Sequence, residues 1–135
     1  MSDKVDFFDN FFSETGSLSK AVENYQIRAG QVEMAKFIDE ALLTNQSVAI
    51  EAGTGIGKTI GYLMPLIRQN KKIIISTATK NLQEQMLKKD FPILQKALGI
   101  NFNVTLLKGR ANYLCHHRIL NNSNLFYSKK EVLAF

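Results

Sequence analysis

Two hydrophobic periods run along this chain. Val32, Met34, Ala35, Phe37, Ile38, Ala41 and Leu42 recur at three- and four-residue spacing, with Glu33, Lys36, Asp39 and Glu40 between them, which predicts an amphipathic helix. Tyr62, Leu63, Leu66 and Ile67 repeat the pattern around Pro65, which predicts a bend or a new turn there. Leu82, Met86 and Leu87 begin a third helix that Asp90-Phe91-Pro92 breaks, residues 93–98 resume and Gly99 stops. Phe7, Phe8, Phe11 and Phe12 also share one helical face, as core or docking packing requires, a partner-binding stripe being the lesser reading. Thr15, Gly16 and Ser17 mark a turn, and residues 18–24 suit a short helix.

Between the helices lie short apolar runs without helical spacing, at residues 48–50, 73–76 and 102–107, and these read as buried strands. Helix, strand, loop, helix, strand, helix, strand is the order of an α/β domain, a parallel sheet with flanking helices and right-handed crossovers. Ligands gather at the C-terminal ends of such strands. That edge would carry residues 53–59, the hydroxyls of 76–79 and the cations of 108–110. Hydroxyls, helix N-termini and cations are the groups that hold nucleic-acid phosphates.

The candidate chemistry is concentrated in SVAIEAGTGIGKT, residues 47–59. Gly53, Gly55 and Gly57 let the backbone turn tightly and aim N–H groups inward, forming a nest for phosphate. Lys58 brings a point charge to the β- and γ-phosphates, and Thr59 a hydroxyl for Mg²⁺. The helix that follows favours an anion at its N-terminus. Ala52 stands where the strict pattern G-x-x-x-x-G-K-[ST] has glycine, so the match takes the form A-x-x-x-x-G-K-T, with Thr54 and Ile56 among the variable positions. A chance glycine-rich turn is the weaker reading, because strand, loop and helix appear in the required order.

One helix earlier, YQIRAGQ at residues 25–31 places Arg28 and Gln31 three apart, which on a helix means one face. A glutamine amide can pair with the N6/N7 edge of adenine. Alone, Gln31 reads as a surface glutamine; one helix ahead of the loop, it becomes a candidate base reader.

Composition narrows the class. The 135 residues suffice for one core, and 45% hydrophobic with 21% charged side chains describes an ordinary globular chain. No apolar run approaches the roughly 20 residues that span a bilayer, no secretory signal is visible, and one cysteine excludes a disulfide framework, which together predict a cytoplasmic protein without membrane partners. The net charge of +5 is uneven: residues 1–20 hold two basic and four acidic side chains, and the rest carries a net +7. A basic body suits a nucleic-acid partner, and equally a plain solvated surface. His116 and His117 beside Cys115 suggest metal, but adjacent side chains diverge, so an independent zinc site is not expected. On its own Cys115 reads as a small buried residue.

Four stretches together resemble the N-terminal part of an XPD/DinG-type iron–sulfur DNA helicase of superfamily 2, on the DinG/YoaA-like branch: YQIRAGQ (25–31), EAGTGIGKT (51–59), IISTATKNLQEQ (74–85) and LLKGRANYLC (106–115). They stand in the family's order over most of residues 18–115. The glycine loop is shared by very many ATPases; its combination with KGRANYLC is specific. The resemblance implies a partial RecA-like P-loop motor domain, with residues 1–17 a Phe-rich N-terminal segment, 18–114 the first part of motor domain 1, and 115–135 the start of a truncated iron–sulfur domain. It implies that Gln31, with Arg28 nearby, recognises adenine, and that residues 52–59 cradle ATP, with Lys58 and Thr59 as the Walker A lysine and hydroxyl. Thr77, Thr79 and Gln85 would touch the DNA backbone in motif Ia, and Cys115 would be the first of four ligands to a [4Fe–4S] cluster. Single-stranded or forked DNA, 5′ to 3′ movement and ATP-driven unwinding complete the implied function.

Departures limit that reading. No Asp-Glu-Ala-His box, second motor domain or further cysteine is present in the 135 residues. A four-cysteine cluster cannot assemble from Cys115 alone, and without an acid to hold Mg²⁺ and orient water the chemistry lacks positioning parts. The expectation is negligible ATPase by this chain alone and marginal stability, since an incomplete parallel sheet leaves an unpaired edge. The apolar pattern stops at Phe135 without a cap, which reads as a truncated end. The alternative function is a shortened, non-catalytic nucleotide- or DNA-binding remnant; an ATPase acting on RNA is disfavoured by KGRANYLC.

Overall fold

The structure, a computed structural model, describes residues 6–121. The apolar pattern at 125–135 and most of the polar break at 121–124 lie outside the described residues, as do residues 1–5 of the N-terminal segment and 122–135 of the proposed iron–sulfur start. The chain divides into a unit ending at Val104 and a second beginning at Thr105.

In the first unit, α1 (Phe7–Phe11) starts at Asp6, whose carboxylate accepts the Phe8 N–H at 3.2 Å. Phe8, Phe11 and Phe12 are buried, as the shared face predicts, while Phe7 stays at the surface. Lys36 holds this segment to the next long helix through Asp6 at 3.0 Å and Asp9 at 2.7 Å. Gly16 follows because a Cβ there would lie 2.1 Å from the Asn10 carbonyl oxygen, and it leads into α2 (Ser17–Ala21).

Helices α3 (Ala29–Leu43) and α4 (Lys58–Arg68) pack on each other. Both exit through asparagines in the left-handed region, Asn45 at φ 58° and Asn70 at φ 51°, the residue type that tolerates that turn. Helix α4 passes through Pro65 without ending, so the predicted new turn does not form. Pro65 lacks the N–H that would bond Gly61, and its ring is fully buried.

Helix α5 (Lys80–Gln85) runs through a π-helical turn, Met86–Asp90, into α6 (Phe91–Leu98). The predicted break at 90–92 is therefore a widened turn. Pro92 falls in the first turn of α6, where a missing N–H matters least. Gly99 closes α6 at φ 65°. Leu63, Met64, Met86, Phe91 and Leu94 join the N-terminal phenylalanines in one core.

The predicted sheet is not seen: among the described residues no segment is a strand, and residues 48–50, 73–76 and 102–107 carry no regular secondary structure. A strand exists by hydrogen-bonding to a neighbour, and these segments share no ladder. The alternation of an extended chain survives at 73–75. Ile73 and Ile75 pack against the helical core, while Ile74 is 93% exposed. The helices thus cover one face, whereas a parallel sheet is covered on both.

In the second unit a 3-10 turn, Arg110–Asn112, precedes α7 (His116–Asn121). The Gly109 carbonyl accepts the Asn112 N–H at 2.9 Å, and the Tyr113 hydroxyl accepts the Lys108 N–H at 2.8 Å. KGRANY is thus a locally closed turn.

Candidate phosphate-binding loop

Residues 52–57 form an irregular loop entering α4 at Lys58. Gly55 at φ 81° and Gly57 at φ 78° occupy the left-handed region that side chains resist. A Cβ at Gly53 or Gly55 would meet nothing within 4 Å, so the loop has open space where a phosphate could approach the backbone. The Lys58 ammonium donates to the carbonyls of Ala52, at 2.8 Å, and Gly53, at 2.9 Å. Its partners among the described residues are neutral oxygens rather than carboxylates, so its positive charge remains available to an anion. The eleven-residue α4 begins at this point and adds its N-terminal dipole. Open loop, lysine and helix start fit a triphosphate.

Thr59 is partly buried in the first turn of α4 and hydrogen-bonds the Tyr62 phenol. Burial pushes that phenol up from its ordinary range, the Thr59 bond opposes this, and the nearby Asp90 carboxylate reinforces it. Tyr62 also donates to the Met86 sulfur at 3.9 Å. Sequence reasoning missed Tyr62 as a partner of Thr59; its place three residues later on one helix was the available signal.

Gln31 comes to the same loop, with its Nε2 donating to the Gly57 carbonyl at 2.9 Å. At 2% exposure it is no surface glutamine. Arg28 parts from it: Arg28 is the extended N-cap of α3 and is exposed, near Tyr25, so the two do not share a helical face. Ile56 packs beside Gly30, one residue before Gln31.

The motif Ia candidates bond locally. Thr79 caps α5, its hydroxyl accepting the Leu82 N–H at 3.3 Å, and the Thr77 hydroxyl donates to the Thr79 carbonyl at 3.2 Å. Gln85 reaches Asp90 at 3.4 Å. The sheet edge expected to gather 53–59, 76–79 and 108–110 is not formed among the described residues.

Cys115 is exposed rather than buried, and its carbonyl accepts the Ile119 N–H at 3.0 Å. His117 pairs with Asn121 at 2.9 Å. No group of three metal-ligating side chains occurs among the described residues, and one thiolate does not fit a [4Fe–4S] cluster. No described helix is long and apolar enough to cross a membrane.

Residues 34–134 match the DEAD/DEAH box helicase family. The chain is 48% identical over 110 residues to the ATP-dependent DNA helicase YoaA of Haemophilus influenzae, covering 82% of this chain and 17% of that protein. It is 46% identical over 108 residues to the Escherichia coli protein of the same name, covering 80% and 17%. It is 39% identical over 106 residues to the 3'-5' exonuclease DinG of Bacillus subtilis, covering 76% and 11%. The chain thus spans under a fifth of the length of these relatives. No solved structure matches. With the match extending over most of its length, the chain belongs to the DEAD/DEAH box helicase family.

Proposed function

We propose that this chain is the front portion of the first motor domain of an ATP-dependent DNA helicase, and that its own contribution is to bind the triphosphate of ATP with Mg²⁺. The observation carrying this is the loop at 52–59. Gly53 and Gly55 leave its backbone open, and Lys58 stands at the mouth of a helix without a carboxylate partner among the described residues. Lys58 would hold the β- and γ-phosphates, the N–H groups of 53–59 would line their oxygens, and Thr59 would offer its hydroxyl to Mg²⁺. Mg²⁺, when bound, offsets charge between those phosphates. Arg28, exposed at the start of α3, is a candidate for the nucleotide's outer part.

The partial RecA-like fold, completed by strands at 48–50, 73–76 and 102–107, belongs to this reading. So do the cytoplasmic setting, movement 5′ to 3′ on single-stranded or forked DNA, and service in repair or replication, all supported by the resemblance. Thr77, Thr79 and Gln85 would contact the DNA backbone. Cys115 would serve a [4Fe–4S] cluster only with three further thiolates, which this sequence does not contain.

The test is titration of the purified chain with a fluorescent ATP analogue and Mg²⁺. Saturable binding lost in Lys58→Ala supports the reading, and binding unchanged by that substitution contradicts it. ATP turnover, with or without DNA, should be negligible; DNA-stimulated turnover lost in Lys58→Ala would show that the chain carries more of the motor than its motifs indicate.

A further inference from the structure

The apolar pattern of α3 includes Phe37, yet the helix does not bury it. Met34, Ala35 and Ala41 are buried on the same helix, whereas Phe37 stays 48% exposed. It lines an open groove of about 590 Å³ between α1 and α3. Ala29 and Val32 are the other apolar residues there, and Asp9, Glu33 and Glu40 supply three carboxylates. The groove's one cation, Lys36, is already held by Asp6 and Asp9. Glu33 and Glu40 form no ion pair among the described residues. They stand four residues before and three after Phe37, so both neighbour its ring on the helix surface. An apolar side chain between two uncompensated carboxylates thus faces outward on a chain of net charge +5.

Charge decides what can cover this groove. Nucleic-acid phosphates are repelled by it. A second copy of the chain, seated across a two-fold axis, would bring the same carboxylates against each other. A helix carrying lysine or arginine beside its apolar face meets neither obstacle. Its apolar side chains would cover Phe37 and Val32, its cations would reach Glu33 and Glu40, and an arginine would also suit the face of the Phe37 ring. From residue 29 to residue 40 the groove follows α3 for about 17 Å, or about three helical turns. We propose that this groove is a docking site for a basic amphipathic helix of about three turns from another protein.

The test titrates the full 135-residue chain with a synthetic helical peptide of about twelve residues that places leucine and arginine on one face. The peptide should shift the backbone amides of 29–40 and of Asp9 saturably. A scrambled peptide of the same composition should bind roughly tenfold more weakly, and so should the designed peptide to Phe37→Ser. The double variant Glu33→Gln with Glu40→Gln, which leaves the apolar residues in place, should lower affinity and flatten its dependence on salt. Equal binding of the scrambled peptide, shifts scattered outside the groove, or unchanged binding by both variants overturns the proposal. Shifts of the same amides with protein concentration alone would show that a second copy covers the groove, and shifts there with single-stranded DNA would show a nucleic-acid surface; either overturns it too. None of these outcomes bears on the phosphate loop.

Discussion

The Arg68 guanidinium lies 3.2 Å from the Asp39 carboxylate and ties the end of α4 to the body of α3. The same guanidinium sits 4.7 Å over the Phe7 ring, and Gln69 adds a bond to Asp39 at 3.0 Å. Arg68 therefore joins three pieces: the N-terminal helix, α3 and α4. Arg68→Ala should lower stability by about 1–2 kcal/mol in urea unfolding, combining a lost charged hydrogen bond and a lost ring contact. Arg68→Lys should recover only part, because an ammonium does not reproduce the planar stack. Wild-type stability in both would show the pair to be ornamental.

Thr79 tests whether a residue assigned to DNA has a structural job. Its hydroxyl caps α5, so Thr79→Ala should cost about 1 kcal/mol and Thr79→Asn, a good cap, very little. Weaker binding of single-stranded DNA by Thr79→Asn at unchanged stability would assign the hydroxyl to DNA. Equal binding would leave it as a cap.

Burial separates two apolar residues that sequence treats alike. Leu94 is fully buried and Ile74 is 93% exposed. Leu94→Ala should lose about 2–5 kcal/mol. Ile74→Ser should change stability by less than about 0.5 kcal/mol. A large loss in Ile74→Ser, measured by the same unfolding curve, would mean that segment 73–76 is covered.

Asp90 carries a pH signature. Burial raises its carboxyl above the ordinary 3.8, while Gln85 and Lys89 pull the other way. The folded protein then holds that proton more tightly than the unfolded chain. The contribution is favourable at low pH and is lost as pH rises from about 3.8 through the raised value. Asp90→Asn should flatten the midpoint-versus-pH curve in that window and raise stability at neutral pH. An unaltered slope would place the pH dependence elsewhere.

What could be read from the sequence follows from the range of the interactions involved. Helices α3, α4 and α6 announce themselves through three- and four-residue spacing, and the loop through glycines followed by Lys-Thr, because both signals are local. The burial of Phe8, Phe11 and Phe12 was legible for the same reason, while Phe7 of that face lies at the surface. The strands were not secured by their apolar runs, because pairing depends on neighbours distant in sequence. Gln31 was singled out for its residue type, yet its buried bond to Gly57, 26 residues away, was invisible. The split between Arg28 and Gln31 arose because α3 begins at Ala29, leaving Arg28 outside the helix. At Pro65 the helix continues where a bend or a new turn was expected, and at residues 90–92 a π-turn stands in place of a full break, with Pro92 in the tolerated first turn of α6.

The most direct test of the central claim is the backbone amide spectrum of the chain, recorded with Mg²⁺ and either ATP or adenosine. The account predicts that ATP shifts the amides of 53–59 most strongly and adenosine leaves them in place. Equal shifts by both ligands, or ATP-dependent shifts centred outside that loop, would contradict it.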